Sequence, residues 1–453
     1  MNFYIAIFLI ALLVATGVYF TIRTKFVQFR MLPEGIRLLK EKSHHDDGVS
    51  SFQALMISTA SRVGTGNIAG VATALAAGGA GSIFWMWIIA LIGGASAFIE
   101  STLAQVYKEK DGDSFRGGPA YYIEKAIGKR WLGIIFSCLL IACFIFGFNP
   151  LQAYNVSSAV EYYFSNNELV AFVIGAVLAL ATAAVIFGGV HRIGIISSKV
   201  VPVMAILYIL AGLIVIFMNA EQILPAFKMI FIGAFKPQAV AGGMFGIGIK
   251  EAMRFGIARG LMSNEAGTGS TPHAHAVAKV KHPCDQGLVA FMSVFIDTFI
   301  ILNITVFIIL TSGTYTSGQD GIVLTQLAFD NAFGSVGGII ISICIFFFSF
   351  STILAAYFYG ESNVLKLFGR KAMPVYTALI AAFVVIGSGF TVSLVWSICD
   401  VFNGFMVFIN IIGLWGISNV IVKLWKEYER DPNVETTLKD IKGEKTSGSS
   451  KSM

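Results

Sequence analysis

Apolar residues in this chain gather into long runs separated by short polar stretches. Runs of membrane-spanning length lie near residues 3–21, 52–77, 82–106, 131–148, 169–187, 195–218, 239–260, 287–312, 336–360, 372–389 and 393–424. A helix rises 1.5 Å per residue, so about 20 apolar residues cross the ~30 Å hydrocarbon core. The pattern predicts eleven transmembrane helices. Gln222 to Phe235 is too short and interrupted to span, and reads as an external helical hairpin or re-entrant piece; Ile322 to Phe333 reads similarly. The first run reaches Phe20 before meeting Arg23 and Lys25. A signal peptide has the opposite charge order, so this is a retained span.

One run is unlike the rest. Val63-Gly64-Thr65-Gly66-Asn67-Ile68-Ala69-Gly70 places three glycines, a threonine and an asparagine where the second span should cross mid-membrane. Glycine weakens a helix, and unpaired backbone in hydrocarbon must be satisfied by protein, water or a ligand. A broken helix is predicted here. A second break is expected at Gly242 to Gly248, just ahead of Lys250, Glu251 and Arg254. Leaving out the first helix, five spans fall in each half; an odd number gives the halves opposite orientation. Paired breaks in inverted halves point to a transporter's central site. The plainer reading of Gly66 and Gly70 is close helix packing of the GxxxG kind. Asn67 argues against it, because a buried amide needs partners.

Composition agrees with the spans: 56% of the 453 residues are hydrophobic and only 13% charged, against about a quarter charged in soluble domains. The net charge of +6 is spread among loops. Nucleic acid is therefore not an expected partner, and membrane lipid is. Arg23 to Lys42, Lys108 to Arg130, Arg192, Lys199, Arg259, Lys279, Lys281, Lys366 to Lys371 and the tail after Lys423 fall on one side. Basic loops stay inside, so the C-terminus is expected in the cytoplasm and the N-terminus outside. From about Glu427 to Met453 the chain reads as disordered. The five cysteines have no CxxC spacing, which favours packing over disulfides or zinc. His44, His45, Asp46 and Asp47 read as a solvated loop, and His273 and His275 as part of a cytoplasmic connection.

Ionisable groups inside spans are functional candidates by default. Arg62 is expected to pair with Glu265, Glu100 or Glu251 as a cytoplasmic gate contact, and Asp297 either serves the site or pairs with Arg62 or Lys250. Asn264 and Glu265 open a Gly-rich block at the inner end, a candidate hinge. No HExxH, G-x-S-x-G or P-loop pattern suggests an enzyme, and no filter signature suggests a channel.

Four blocks of the chain are recognisable together. They are SRVGTGNIAGVATA, GSIFWMWIIALIGGASAFIESTLAQVYK, FRGGPAYYIEKAIGKRWLG and RGLMSNEAGTGSTPHAHAVAKVKHPCDQG, with Asp297-Thr298 following. Over about residues 20–425 they resemble the alanine or glycine:cation symporter family. The resemblance implies an all-α membrane protein on the five-plus-five inverted-repeat fold of the leucine transporter, with repeats at 52–218 and 239–425. One extra helix at 1–21, a cytoplasmic loop at 22–51, an external hairpin at 219–238 and a cytoplasmic tail at 426–453 complete it. It implies sodium-coupled import of alanine or glycine by alternating access across a prokaryotic plasma membrane, with proton coupling or another small neutral amino acid as the alternative. Oligomeric state is left open.

Carried over residue by residue, the resemblance gives the substrate carboxylate the backbone N–H groups of Thr65, Gly66 and Asn67. It gives sodium the carbonyls of Ala60 and Val63 and the hydroxyls of Ser351 and Thr352. The plain alternative for those hydroxyls is a bond back to a carbonyl of their own helix. Gln152 and Asn155 lie on a helix that faces the site in this fold, although Pro150 could make them local repair of freed carbonyls. Phe245 and Gly246 are the candidates for closing the pocket around a small side chain. The sequence departs from the family's usual choices at Arg62, Ala80 and Pro150.

Overall fold

The computed structural model describes residues 3–40, 49–112, 114–164, 168–235 and 248–431. Among these, eight helices are long and apolar enough to cross a membrane. With the first helix and two interrupted ones the described residues account for about eleven spans, close to the hydrophobic pattern, although residues 239–247 of the seventh predicted run lie outside the described residues. In chain order they are α1 (Phe3–Arg23), the broken span α2 (Ser51–Arg62) with α3 (Ala69–Gly78), α4 (Gly81–Val106), α5 (Arg130–Glu161), α6 (Glu168–Ile186) and α7 (Gly189–Met218). After the short α8 (Ile223–Phe235) come α9 (Ile249–Asn264), α10 (Pro283–Thr311), the short α11 (Gly321–Phe333), α12 (Ser335–Phe368), α13 (Met373–Gly387), α14 (Val392–Gly416) and α15 (Ser418–Arg430).

Several boundaries differ from the hydrophobic pattern, each for a local reason. The fourth span runs on to Glu161, because Pro150 occupies the first turn of a new helical segment that follows a π-helical turn at Phe144–Phe148. Proline there has no helical hydrogen bond to lose. The last span stops at Gly416 rather than 424, and α15 turns away as a separate helix. Its apolar side, with Leu424, Trp425 and Tyr428 buried, lies on Phe98 of α4 and on His282. Its polar side ties Glu429 to Lys25 at 3.2 Å and Arg30 at 2.8 Å. Helix therefore covers the start of the segment expected to be disordered. Of the piece expected as a hairpin, the described residues form one helix, α8, preceded by a single 3-10 turn, and those after Phe235 lie outside the described residues.

The fold brings both interrupted spans to the centre. α4 lies along α9 and α10, while α12 packs on α2, α5 and α7. The short turn at Thr65–Asn67 between α2 and α3 touches α9, α10 and α12. Small residues allow this close approach: a side chain at Gly64 would collide with the Thr352 hydroxyl on α12.

Candidate functional site

The first break begins where α2 ends. Gly64, Thr65 and Gly66 have little helix propensity, and the Asn67 side chain competes for the backbone by accepting the Gly64 N–H at 3.0 Å. The chain makes one 3-10 turn at Thr65–Asn67 and resumes as α3. The Thr65 N–H reaches Gln152 Oε1 at 3.4 Å, and the Asn67 N–H returns to the Gly64 carbonyl at 3.2 Å. Gly66 N–H and the Val63 carbonyl have no partner among the described residues, nor does the buried Thr65 hydroxyl. A free donor at the head of α3 and a free acceptor at the foot of α2 are complementary to an anion and a cation respectively.

The break expected at 242–248, with Phe245 and Gly246, lies outside the described residues except for Gly248, and the structure describes an interruption after α9. α9 ends at Asn264, Glu265 turns left-handed with φ 50°, and the chain passes through Gly267 (φ 82°) and Gly269 (φ 83°) to a short helix at Pro272–Ala276. Every residue from Met262 to Ala278 is buried. The signal was in the sequence: Gly64-Thr65-Gly66 in the first break recurs as Gly267-Thr268-Gly269 in the second. His273 and His275, on the connection that follows α9, are buried, and His273 Nδ1 contacts the Ser270 carbonyl at 2.7 Å.

Asp297 on α10 joins the two breaks. Its Oδ1 accepts from Asn67 Nδ2 at 2.6 Å, and Ser263 near the end of α9 donates to both oxygens at 3.2 and 3.0 Å. Thr298 donates to Oδ2 at 3.1 Å. All four side chains are buried. Among the described residues the hydrogen-bond partners of Asp297 are these neutral groups, and it makes no direct ion pair with Arg62. Ser263 was not singled out from sequence, since one serine in an otherwise unexceptional helix carries no signal.

The oxygens proposed for sodium are brought together in part. The Thr352 hydroxyl donates to the Ala60 carbonyl at 2.9 Å. Ser351 instead bonds back to the Phe348 carbonyl at 3.0 Å and faces Met204, the local arrangement open to any serine within a helix. Asn155 does the same with Leu151 at 2.8 Å, whereas Gln152 reaches the break.

Arg62 makes no ion pair among the described residues, contrary to the expected pairing with Glu265, Glu100 or Glu251. Its guanidinium is held by oxygens: the Asn264 carbonyl at 2.6 Å, the Ala290 carbonyl at 3.0 Å, the Thr271 hydroxyl at 2.9 Å and the Ser293 hydroxyl. Three of these lie on the second break or on α10, so Arg62 ties the first break to the second. Five fixed N–H donors suit scattered oxygens as well as one carboxylate. Glu265 is held by Ser61 at 2.5 Å and by Ser270, and Glu251 pairs with Arg254 at 3.0 Å.

Glu100 on α4 shapes the second break. It accepts the N–H groups of Gly267 at 3.2 Å and Gly269 at 3.1 Å, and Asn410 Nδ2 at 2.9 Å. A glycine-rich loop with no helical ladder is thus pinned by one buried carboxylate. Glu100→Ala removes that acceptor from three buried donors; we expect a loss of roughly 2–4 kcal/mol, read as a fall in melting temperature in detergent, with Glu100→Gln keeping part of it.

The geometry is that of a helix-break transporter core, and the comparisons say which one. The model of the Sodium:alanine symporter family matches residues 1–441. The chain belongs to that family. The amino-acid carrier protein AlsT of Bacillus subtilis is 44% identical over 424 residues, covering 93% of this chain and 90% of AlsT. The same organism's probable sodium/glutamine symporter GlnT is 44% identical over 426 residues, covering 93% and 88%. Among solved structures, MhsT in complex with L-phenylalanine aligns with a TM-score of 0.58 at 16% identity, covering 86% of this symporter and 97% of MhsT. That likeness establishes the leucine-transporter-type fold, five plus five inverted helices with α1 as the extra one.

Proposed function

We propose that this symporter imports alanine or glycine together with sodium across the plasma membrane of a prokaryote by alternating access, with α1 entering from outside and α15 in the cytoplasm. The observation that carries the reading is the first break, where an unpartnered N–H at Gly66 and an unpartnered carbonyl at Val63 stand within three residues of each other. An amino acid's carboxylate suits the first, lying by Thr65, Gly66 and Asn67, with Gln152 orienting that turn from α5. Sodium, a hard cation that takes oxygen ligands, suits the carbonyls of Ala60 and Val63 with the hydroxyl of Thr352, and Ser351 joins them if its hydroxyl rotates from Phe348. Binding the two charges together reduces the cost of burying either alone.

Both breaks must move for the path to open. Arg62, Glu265 and Glu100 are assigned to holding them in register, with Arg62 and Glu265 forming the gate contact through oxygens of both halves. Asp297 is assigned to the link between Asn67 and Ser263. The repeats run from 52 to 218 and from 239 to 425. The family's name and AlsT's carrier role support an amino-acid substrate.

Glutamine is a second reading. GlnT is as similar as AlsT, and Asn149, one turn before Gln152, is buried with both amide atoms unpartnered, a match for a side-chain amide. The test is uptake of labelled alanine into proteoliposomes under a sodium gradient, with potassium and proton-gradient controls. Accumulation with sodium alone, competed by glycine and not by glutamine, is expected. Uptake driven by protons alone overturns the sodium assignment, and stronger competition by glutamine replaces the substrate.

A further inference from the structure

Outward of the first break, in the orientation proposed above, the site residues are followed one turn later by a second set. On α5, Asn155 follows Gln152, and at the start of α3, Gly70 follows Asn67. Trp396 of α14 stands at that level beside both. The edge of its ring lies against Gly70, where an added methyl would meet it at 3.5 Å, and with Asn155 it lines a cavity of about 100 Å³. Tyr154 and Ser158 of α5 and Asp320 ahead of α11 complete the polar lining. The ring thus separates that cavity from the first break. It is 6% exposed, a large apolar plug among small and polar residues.

The face of the ring is held by a second contact. Arg259 lies on α9, five residues before that helix ends, with its guanidinium 4.0 Å from the ring centre. Asp400, one turn beyond Trp396 on α14, fixes the guanidinium through two hydrogen bonds of 3.0 and 3.1 Å. A bidentate pair sets orientation as well as distance, and a buried cation over an indole is attractive in its own right. Two side chains of α14 therefore clamp one of α9, and moving the ring forfeits the stacking. Trp396 also borders the larger cavity of about 370 Å³ between α1, α9 and α14, so the ring has room on that side.

We propose that Trp396 is the outer gate of the transport path, held shut over the first break by the Arg259 and Asp400 pair, and that it swings toward the larger cavity when the path opens outward. The proposal rests on the transport reading given above. The residue beneath the ring is Gly70, one turn past the substrate turn, so Trp396 governs access to the site and positions nothing on the substrate.

The test reads accessibility first. Gly70→Cys adds a Cβ that meets the Trp396 ring at ordinary contact distance, and so places a thiol beneath the gate. Its modification by a charged, membrane-impermeant methanethiosulfonate is followed in right-side-out membrane vesicles, with the parent protein as background for the five native cysteines. Potassium medium without alanine makes this arm independent of the transport reaction. Adding Trp396→Ala should speed modification about tenfold and Asp400→Asn about threefold, with Trp396→Phe, which keeps a ring, changing it least. In proteoliposomes, with Gly70 restored, Trp396→Ala should lower sodium-driven accumulation of alanine about tenfold and let sodium enter without alanine, and Trp396→Phe should recover most of the accumulation. An unchanged modification rate in Trp396→Ala, or faster modification with wild-type accumulation, overturns the gate. An unchanged rate in Asp400→Asn overturns the clamp. If the wild-type protein accumulates no alanine under any gradient, the substrate reading fails and the modification arm alone decides the gate. The Asp400 side chain is 31% exposed, so Asp400→Asn keeps the test decisive if Trp396→Ala fails to fold.

Discussion

Replacing Asn67 by alanine is expected to cut sodium-dependent alanine uptake about 100-fold while leaving the protein folded in the membrane. One amide makes two separate connections. Its oxygen holds the Gly64 N–H and so closes the turn, and its nitrogen holds Asp297 at 2.6 Å. The first bond is worth about 1 kcal/mol and the second, to a carboxylate, about 2 kcal/mol. Together they amount to about two powers of ten in an equilibrium constant. The loss falls on the occluded state, because that is where both breaks and α10 must meet. Global folding is less affected: Asp297 keeps Ser263 and Thr298, and α2 and α3 keep their own ladders. Uptake measured beside a detergent melting curve separates the two effects. Wild-type uptake in this variant would remove Asn67 from the site.

The span pattern, the first break and the family were all legible in the sequence, since each rests on many residues at once. Eleven apolar runs leave little freedom, and Gly64-Thr65-Gly66-Asn67 cannot continue a helix at low cost. The interruption after α9 was less legible for an instructive reason. Counting glycines draws attention to 242–248, four in seven residues and all but Gly248 outside the described residues, while Glu265 to Thr271 has two and reads only as a candidate hinge. The structure turns there because the glycines are spaced to adopt positive φ on either side of Thr268 and because Glu100, 167 residues away from Gly267, supplies the acceptor. No local rule contains that partner.

Arg62 shows the same limit from the other direction. A buried cation suggests a carboxylate, and three were at hand in the sequence. The structure satisfies it with two carbonyls and two hydroxyls, and holds Glu265 with serines one step away. The arrangement avoids a direct buried ion pair that would have to be separated in each transport cycle. Removing one member of such a pair leaves an uncompensated charge at a cost of about 3–5 kcal/mol, whereas hydrogen bonds to oxygens can be exchanged one at a time with water as the path opens.

Thr352→Ala should raise the sodium concentration for half-maximal uptake about tenfold, with Thr352→Ser close to wild type and Ser351→Ala of smaller effect. The ranking follows from where each hydroxyl points. Thr352 already touches the Ala60 carbonyl at 2.9 Å and lies against Gly64, at the C-terminal end of α2. Carbonyls there carry the negative end of the helix dipole and have no N–H of a following turn to engage them. A sodium ion between them and the hydroxyl would take over the hydrogen bond's place, and losing one oxygen ligand costs about one power of ten in affinity, or about 1.4 kcal/mol. Serine presents the same oxygen on a smaller side chain. Ser351 must first give up its bond to Phe348, so its removal costs less. The variant also tells coupling from substrate recognition. A higher sodium requirement with alanine KM unchanged at saturating sodium assigns Thr352 to the ion. An unchanged sodium curve would instead make Thr352 a packing contact between α12 and the first break, and the cation would then have to be held elsewhere, with Asp297, which contacts Asn67 and Ser263, and Glu265, which contacts Ser61 and Ser270, the buried carboxylates that link the two breaks.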